Sequence, residues 1–425
     1  ISEESEENKN SSLTDDDGGY GWFVVIGSFI RLNTDDLLSF TGVILNLLES
    51  NIFGSSKTIT MQLTFVGTIA SFTTQLLTPI SRLLETMFGV KITLLIATIL
   101  YCIGMVTAGF SSKIWQLYLS LGICCGVAAS IFWSISYRVT PQWFTRRRNL
   151  VMGIISSSIG TSASIIPFVL SAITNNKSFG IYWCFWVLAI VFVVLDIIVC
   201  ILIREKKHPT DKSVDSANTS TTAVSKNQII DWNLLRNMDF REVFMFIKTN
   251  IMLLCYYYDI AYAKSIGLND FQASTFISIT AGLNIFGRIL QGYIAGKIGN
   301  LNTLILSSVF CGSASFFIWT FAVSYAGLLV YSIIFGIFIG TFYVIAAPTV
   351  VSIVGMKNLP TGNTLLWLLT APGLFGPSIS SEIERANNGR SYLTYQLFVG
   401  SSFTISILIT LILKYRLNGT IFAKF

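Results

Sequence analysis

Long apolar runs separated by short polar connections recur along the chain. They cover residues 22–48, 59–80, 88–109, 114–140, 149–173 and 180–203. After a polar stretch they resume at 243–266, 272–295, 303–323, 326–354, 363–382 and 393–416. At about 1.5 Å of rise per residue, each can cross a hydrocarbon core of about 30 Å as a helix. The pattern predicts an all-α integral membrane protein with twelve transmembrane helices in two bundles of six. Residues 17–203 form the first bundle and 243–417 the second. Between them, 204–242 is rich in Lys, Ser, Thr, Asn and Asp and reads as a linker. Residues 1–16 read as a disordered acidic tail, and 418–425 as a short terminal tail.

Composition agrees with the pattern. Mean hydropathy is +0.66, and 12% of residues are charged, against about 25% in soluble domains. A net charge of +6 is compatible with nucleic-acid binding, but its placement points elsewhere. Basic residues gather in the even-numbered connections, the linker and the tail, as in Arg82, Lys91, Arg146, Arg147, Arg148, Arg204, Lys206, Lys207 and Lys297. The odd-numbered connections hold only Lys57, Lys113, Lys177, Lys264, Arg385 and Arg390. This asymmetry sets orientation, with both termini and the linker cytoplasmic, and no nucleic-acid partner is implied.

Several chemistries are disfavoured. His208, the single histidine, lies in the polar linker, which argues against Ser-His-Asp hydrolysis, His-ligated zinc and histidine proton relays. The seven cysteines all fall in apolar runs without metal or disulfide spacing. No nucleotide-binding loop is present, so no cofactor, metal or ATP drive is expected.

The halves resemble copies of one another. Gly122 and Gly126 in the fourth span recur as Gly336 and Gly340 in the tenth, an offset of 336 − 122 = 214. Gly89 and Lys91 between the second and third spans recur as Lys297 and Gly299 between the eighth and ninth, and 299 − 89 = 210. A near-constant offset predicts parallel six-helix repeats about an axis along the membrane normal, with any site between them at mid-membrane.

Ionisable residues inside the spans are the anomaly. The first span carries Arg31, Asp35 and Asp36. Each costs about 2.5–3.5 kcal/mol at a helix centre, against about 0.3–0.6 returned by each large apolar residue. Such a helix must line a polar space. Arg31 and Asp35, four apart, share a face and can pair; Asp36 points about 100° away and needs another partner or water. Asp259 follows three tyrosines in the seventh span. Asp196, among the Val, Ile and Leu of the sixth, has no partner legible in the sequence. Arg288 lies deep in the eighth span with no acid in its own helix, so it needs an anion from another helix or from a ligand. An ion pair locking the halves and a pair that a substrate competes for both fit Asp36 and Arg288. In the eleventh span, Pro372, Gly373, Gly376 and Pro377 predict a break or hinge.

Two local stretches resemble a known family. Asp17-Gly18-Gly19-Tyr20-Gly21-Trp22, just before the first span, resembles the motif that opens the monocarboxylate porter family of the major facilitator superfamily. Trp143-Phe144-Thr145-Arg146-Arg147-Arg148-Asn149-Leu150-Val151-Met152-Gly153 resembles that family's basic motif at the entrance to the fifth span. The local style is similar to fungal members. The resemblance implies transport of small organic solutes, monocarboxylates in animal members, often with a proton. Its arginine of the eighth span falls on Arg288, and its aspartate one turn earlier falls on Asn284. Its lysine of the first span falls on Phe40, and a cavity-facing tyrosine on Asp36. These departures point away from lactate and leave open a larger polar or aromatic metabolite, such as a vitamin.

The sequence therefore predicts a secondary or facilitative transporter working by alternating access, with no enzymatic activity. Asp36, Phe40, Asn284 and Arg288 are the expected solute site, and Arg31, Asp35 and Asp259 its support or proton route. Arg146, Arg147 and Arg148 are expected at the cytoplasmic mouth, where they can meet acidic lipid headgroups or close a gate. The expected partners are a small solute, with or without a proton, and membrane lipids, with no obligate protein partner. A plasma-membrane location is expected, an internal membrane such as the vacuole being the alternative. A sensor that binds its solute without moving it is the competing function.

Overall fold

The computed structural model describes residues 17–34, 48, 54, 57–174, 182–206, 262, 266–322, 324–375 and 393–418. Among these residues the chain is helical apart from short connections, and no strand occurs. The first span is described over Gly21–Thr34. The second runs Lys57–Leu76 and restarts at Thr78 with Pro79 in its first turn, where a missing N–H costs nothing. Gly89, at φ 76°, then turns the chain into the third span, which ends at Ala108. The fourth is one rod, Ile114–Trp143, with a π-helical stretch at Tyr118–Cys125 and a tight 3-10 end at Thr140–Trp143. Arg148–Thr174 and Tyr182–Leu202 are the fifth and sixth.

In the second half, Asp270–Ile298 is the eighth span, capped by the Asn269 side chain, which accepts the Gln272 N–H. Asn300–Trp319 is the ninth. The tenth and eleventh form a bent run, Tyr325–Phe338 and Thr341–Thr370, turning at Gly355 with φ 77°. The eleventh gives way to a 3-10 turn at Ala371–Phe375, where the Pro372-Gly373 break was expected. Leu393–Asn418 is the twelfth. The expected seventh span lies outside the described residues except for Ile266 and Tyr262, the latter donating to the Ala322 carbonyl.

The repeat has a conformational signature. Gly89 and Gly299, 210 positions apart, adopt nearly the same backbone, φ 76°, ψ 166° and φ 96°, ψ 158°. Such a positive φ is open to glycine and strained for other residues. The glycine pairs also do equivalent work. A Cβ on Gly122 or Gly126 would meet Ile69 or Thr73 of the second span, each at 2.9 Å. A Cβ on Gly336 or Gly340 would meet Thr280 or Arg288 of the eighth. The fourth thus lies on the second as the tenth lies on the eighth, as small residues permit.

Each half has its own apolar core. A further buried cluster draws on both: Val25, Tyr137, Phe144 and Met152 from the first half pack with Phe342, Ala346, Leu359 and Trp367 from the second. This shared core sits toward the end that carries the basic connections. The outer faces are apolar and bare, as at Phe168, Ile190, Phe286, Phe317 and Leu408, which suits contact with lipid.

Candidate functional site

The site begins with helices that touch backbone to backbone. A Cβ on Gly153 of the fifth span would lie 2.6 Å from the Arg288 carbonyl oxygen, and one on Gly292 would lie 2.5 Å from that of Asn149. Higher up, Gly160 faces Ile285 and Ala281. Hydrogen bonds close the same side between the halves. Asn149 donates to Asn300 at 2.8 Å, Thr78 to the Thr364 carbonyl at 3.2 Å, and Thr370 to Gln75 at 2.8 Å.

On this base rests a group of rings from both halves. Trp133 and Tyr137 of the fourth span stack with centroids 4.8 Å apart. Trp133 meets Tyr343 edge to face at 5.9 Å, and Trp367 at 5.3 Å. Tyr343 and Trp367 lie nearly parallel at 6.1 Å. Tyr137 and Trp367 are buried and seal the base, whereas Trp133 and Tyr343 are only half-buried. These half-exposed rings, touching across the halves, form the accessible floor of the group.

Arg288 stands beside this floor. It is fully buried, and its Cζ lies 5.1 Å from the centre of the Tyr343 ring. Its Nε donates to Asn284 Oδ1 at 2.5 Å, and its Nη1 to the Ser156 carbonyl of the other half at 2.8 Å. Asn284 in turn donates to the Gly336 carbonyl at 3.2 Å, so it holds the guanidinium against the tenth span. The Nη2 of Arg288 makes no hydrogen bond among the described residues, and neither do Tyr137 Oη and Trp133 Nε1. A buried polar group without a partner is costly, and here each one can donate. The arrangement is built to receive acceptors.

The Major Facilitator Superfamily profile matches residues 24–377. The chain belongs to this superfamily. Like its other members it is a membrane-embedded solute transporter that works by alternating access. It is 24% identical to the "Probable transporter MCH2" of Saccharomyces cerevisiae, over 98% of this chain and 86% of that one. It is 23% identical to monocarboxylate transporter 2 of Mus musculus, over 89% of this chain and 81% of the mouse protein. Its fold is similar to that of FucP, the E. coli fucose:proton symporter, in the outward conformation. That match has a TM-score of 0.68 at 13% identity and covers 91% of this chain and 97% of FucP.

Within this transporter the expected residues divide. Asn284 and Arg288 stand together between the halves. Asp35, Asp36, Phe40 and Asp259 lie outside the described residues. Arg31 is described, and one of its partners lies in the sixth span. It is fully buried, donates to Asp196 Oδ1 at 2.7 Å and to Thr34 at 2.6 Å, and lies 3.1 Å over the centre of the Phe132 ring. This accounts for the aspartate of the sixth span, which is tolerated there because an arginine of the first span meets it. Spacing within one helix could not have found it.

The basic motif is described in full. Arg146 and Arg147 are exposed, and Arg148 donates to the Pro141 and Phe144 carbonyls of its own half. The ion pairs between described residues, Arg31–Asp196, Arg82–Glu85, Arg138–Glu85 and Arg138–Glu205, all lie inside the first half. Between the halves, the described contacts are rings, close backbone and hydrogen bonds from hydroxyl, amide and guanidinium groups. The sequence reading missed Trp133, Tyr137, Tyr343 and Trp367, because an aromatic in an apolar span carries no mark of the face it shows.

Proposed function

We propose that the transporter carries a small organic anion and that Arg288 receives its charge. One observation carries this reading: a fully buried guanidinium makes its described hydrogen bonds to two neutral partners and leaves Nη2 without one. A ligand carboxylate supplies the missing acceptors in bidentate form and compensates the buried charge. Asn284 keeps the fork in place. We assign the proton, where transport is coupled to one, to Asp36, with Asp35 and Asp259 as alternatives, on sequence grounds alone. The distribution of basic connections supports cytoplasmic termini in a plasma-membrane protein. In that orientation the close contacts between the halves lie on the cytoplasmic side, and the site opens outward.

The test is counterflow of labelled short-chain carboxylates in liposomes containing the full chain. Arg288→Ala is expected to abolish exchange while the purified protein keeps its helical content and monodisperse elution. Arg288→Lys keeps the charge without the fork and is expected to retain only a small part of it. Wild-type exchange by Arg288→Ala would overturn the assignment.

A further inference from the structure

The surroundings of Arg288 bear on the shape of the solute as well as its charge, an inference that rests on the anion reading. Among the described residues, the buried donors without a hydrogen bond include Arg288 Nη2 in the second half, and Tyr137 Oη and Trp133 Nε1 in the first. Arg288 and Trp133 lie at one depth, and Tyr137, one helical turn on, is 143 − 137 = 6 residues from the end of the fourth span. Trp133 is 143 − 133 = 10 residues from the end of the fourth span, and Arg288 is 298 − 288 = 10 from the end of the eighth. Tyr343 is 355 − 343 = 12 from the bend at Gly355. Trp133, Arg288 and Tyr343 are therefore each about 15–18 Å from the basic end of their helices.

The accessible rings of this group form a corner. Trp133 and Tyr343 are half-buried and stand 84° apart, one from each half, above the sealed pair of Tyr137 and Trp367. A flat guest in a right-angled aromatic corner meets the face of one ring and the edge of the other together, the two arrangements that ring quadrupoles favour. A puckered saturated guest of the same size achieves neither. The guanidinium lies over the Tyr343 ring, so a charge bound there is held against the wall of the corner. A rigid planar anion fits both constraints and loses little conformational freedom on binding. Trp133 Nε1 and Tyr137 Oη can serve a second oxygen from the opposite half.

We propose that the solute is a planar conjugated carboxylate, aromatic in its simplest form, preferred over saturated carboxylates of equal size and charge. The contact it makes with both halves also lets it draw them together as the site closes.

The experiment is calorimetric titration of the full chain in lipid nanodiscs with benzoate and with cyclohexanecarboxylate, which differ mainly in planarity. Benzoate is expected to bind about tenfold more tightly, the range that aromatic pairing supplies. Trp133→Leu is expected to shrink the ratio to about twofold or less by removing that pairing, and Trp133→Phe to keep most of it. Should Trp133→Leu fail to fold, Tyr343→Leu serves the same purpose. Equal affinities in the wild type overturn the planar preference and leave the anion reading standing. Failure of both carboxylates to bind, or unchanged benzoate affinity in Arg288→Ala, overturns the anion reading itself.

Discussion

Asp17 and Arg146 stand 129 positions apart, and both carboxylate oxygens of Asp17 accept the Arg146 backbone N–H, at 3.0 and 3.1 Å. The Thr145 N–H joins them at 2.7 Å. Around this link Tyr20 packs on Trp143 and Trp22 on Phe144, with centroids 5.6 and 5.4 Å apart. Trp143 donates its indole N–H to the Arg204 carbonyl beyond the sixth span. Gly21 lets the two stretches close up, since a Cβ there would stand 3.0 Å from the Phe144 ring. The two stretches that read as separate family motifs are thus halves of one clasp. An acid ahead of the first span caps the turn that opens the fifth, where free N–H groups and the helix dipole favour negative charge.

Removing that acid is expected to loosen the clasp without touching the solute site. Asp17→Ala should cost about 1–3 kcal/mol through its unpaired backbone donors, and Asp17→Asn less, since one acceptor oxygen remains. Thermal melts of the purified protein measure this. A melting point unmoved by Asp17→Ala would mean that the contact contributes nothing net.

The Arg31–Asp196 pair is expected to behave as a buried ion pair. Asp196→Ala or Arg31→Met alone should cost about 3–5 kcal/mol, because each breaks a buried ion pair by removing one partner. The two together, as Arg31→Met with Asp196→Leu, should recover most of the loss. Expression and melting point of the singles and the double give the comparison. Additive losses in the double would show that the two side chains do not act as a pair.

Only local physical signals could be read from the sequence in advance. Hydrophobic length located the spans because a bilayer imposes it on each helix separately. The near-constant offset from Gly122 to Gly336 and from Gly89 to Gly299 exposed the repeat, since glycine is favoured where backbones touch or φ turns positive. Arg288 was legible because a lone buried guanidinium is conspicuous. Its immediate partners were less so: Ser156 lends only its carbonyl, which any residue could provide. The pairing of Arg31 with Asp196 crosses 165 positions, and only folding decides it. The aromatic corner was invisible for the opposite reason, as tryptophan and tyrosine are common in apolar spans whether they face lipid, core or solute.

The proton assignment has its own test. Asp36→Asn removes an ionisable group while keeping its size, and uptake by the variant is expected to lose any dependence on external pH. The initial rate of uptake between mildly acidic and neutral buffer reads this directly. A dependence of unchanged slope would move the proton to Asp35 or Asp259.

The contact of the fifth and eighth spans predicts how the halves can be driven apart. At Gly153 an added Cβ would meet the Arg288 carbonyl oxygen at 2.6 Å and the Cα atoms of Ile289 and Gly292 at 3.3 Å. All three are backbone, so no side chain can swing away, and Gly153→Ala must separate the two helices. The arrangement in which they touch is then strained, while the one in which they part is not, and the equilibrium shifts by the difference between the two. Gly296, on the same eighth span, has nothing within 4 Å of its added Cβ and provides the control. Spin labels at the exposed positions Arg147 and Lys297 report the separation at the basic ends of both helices. Gly153→Ala is expected to lengthen the distance distribution between them, and Gly296→Ala to leave it as in the parent. If Gly153→Ala also leaves it unchanged in a folded protein, the close packing of these two spans does not hold the halves together.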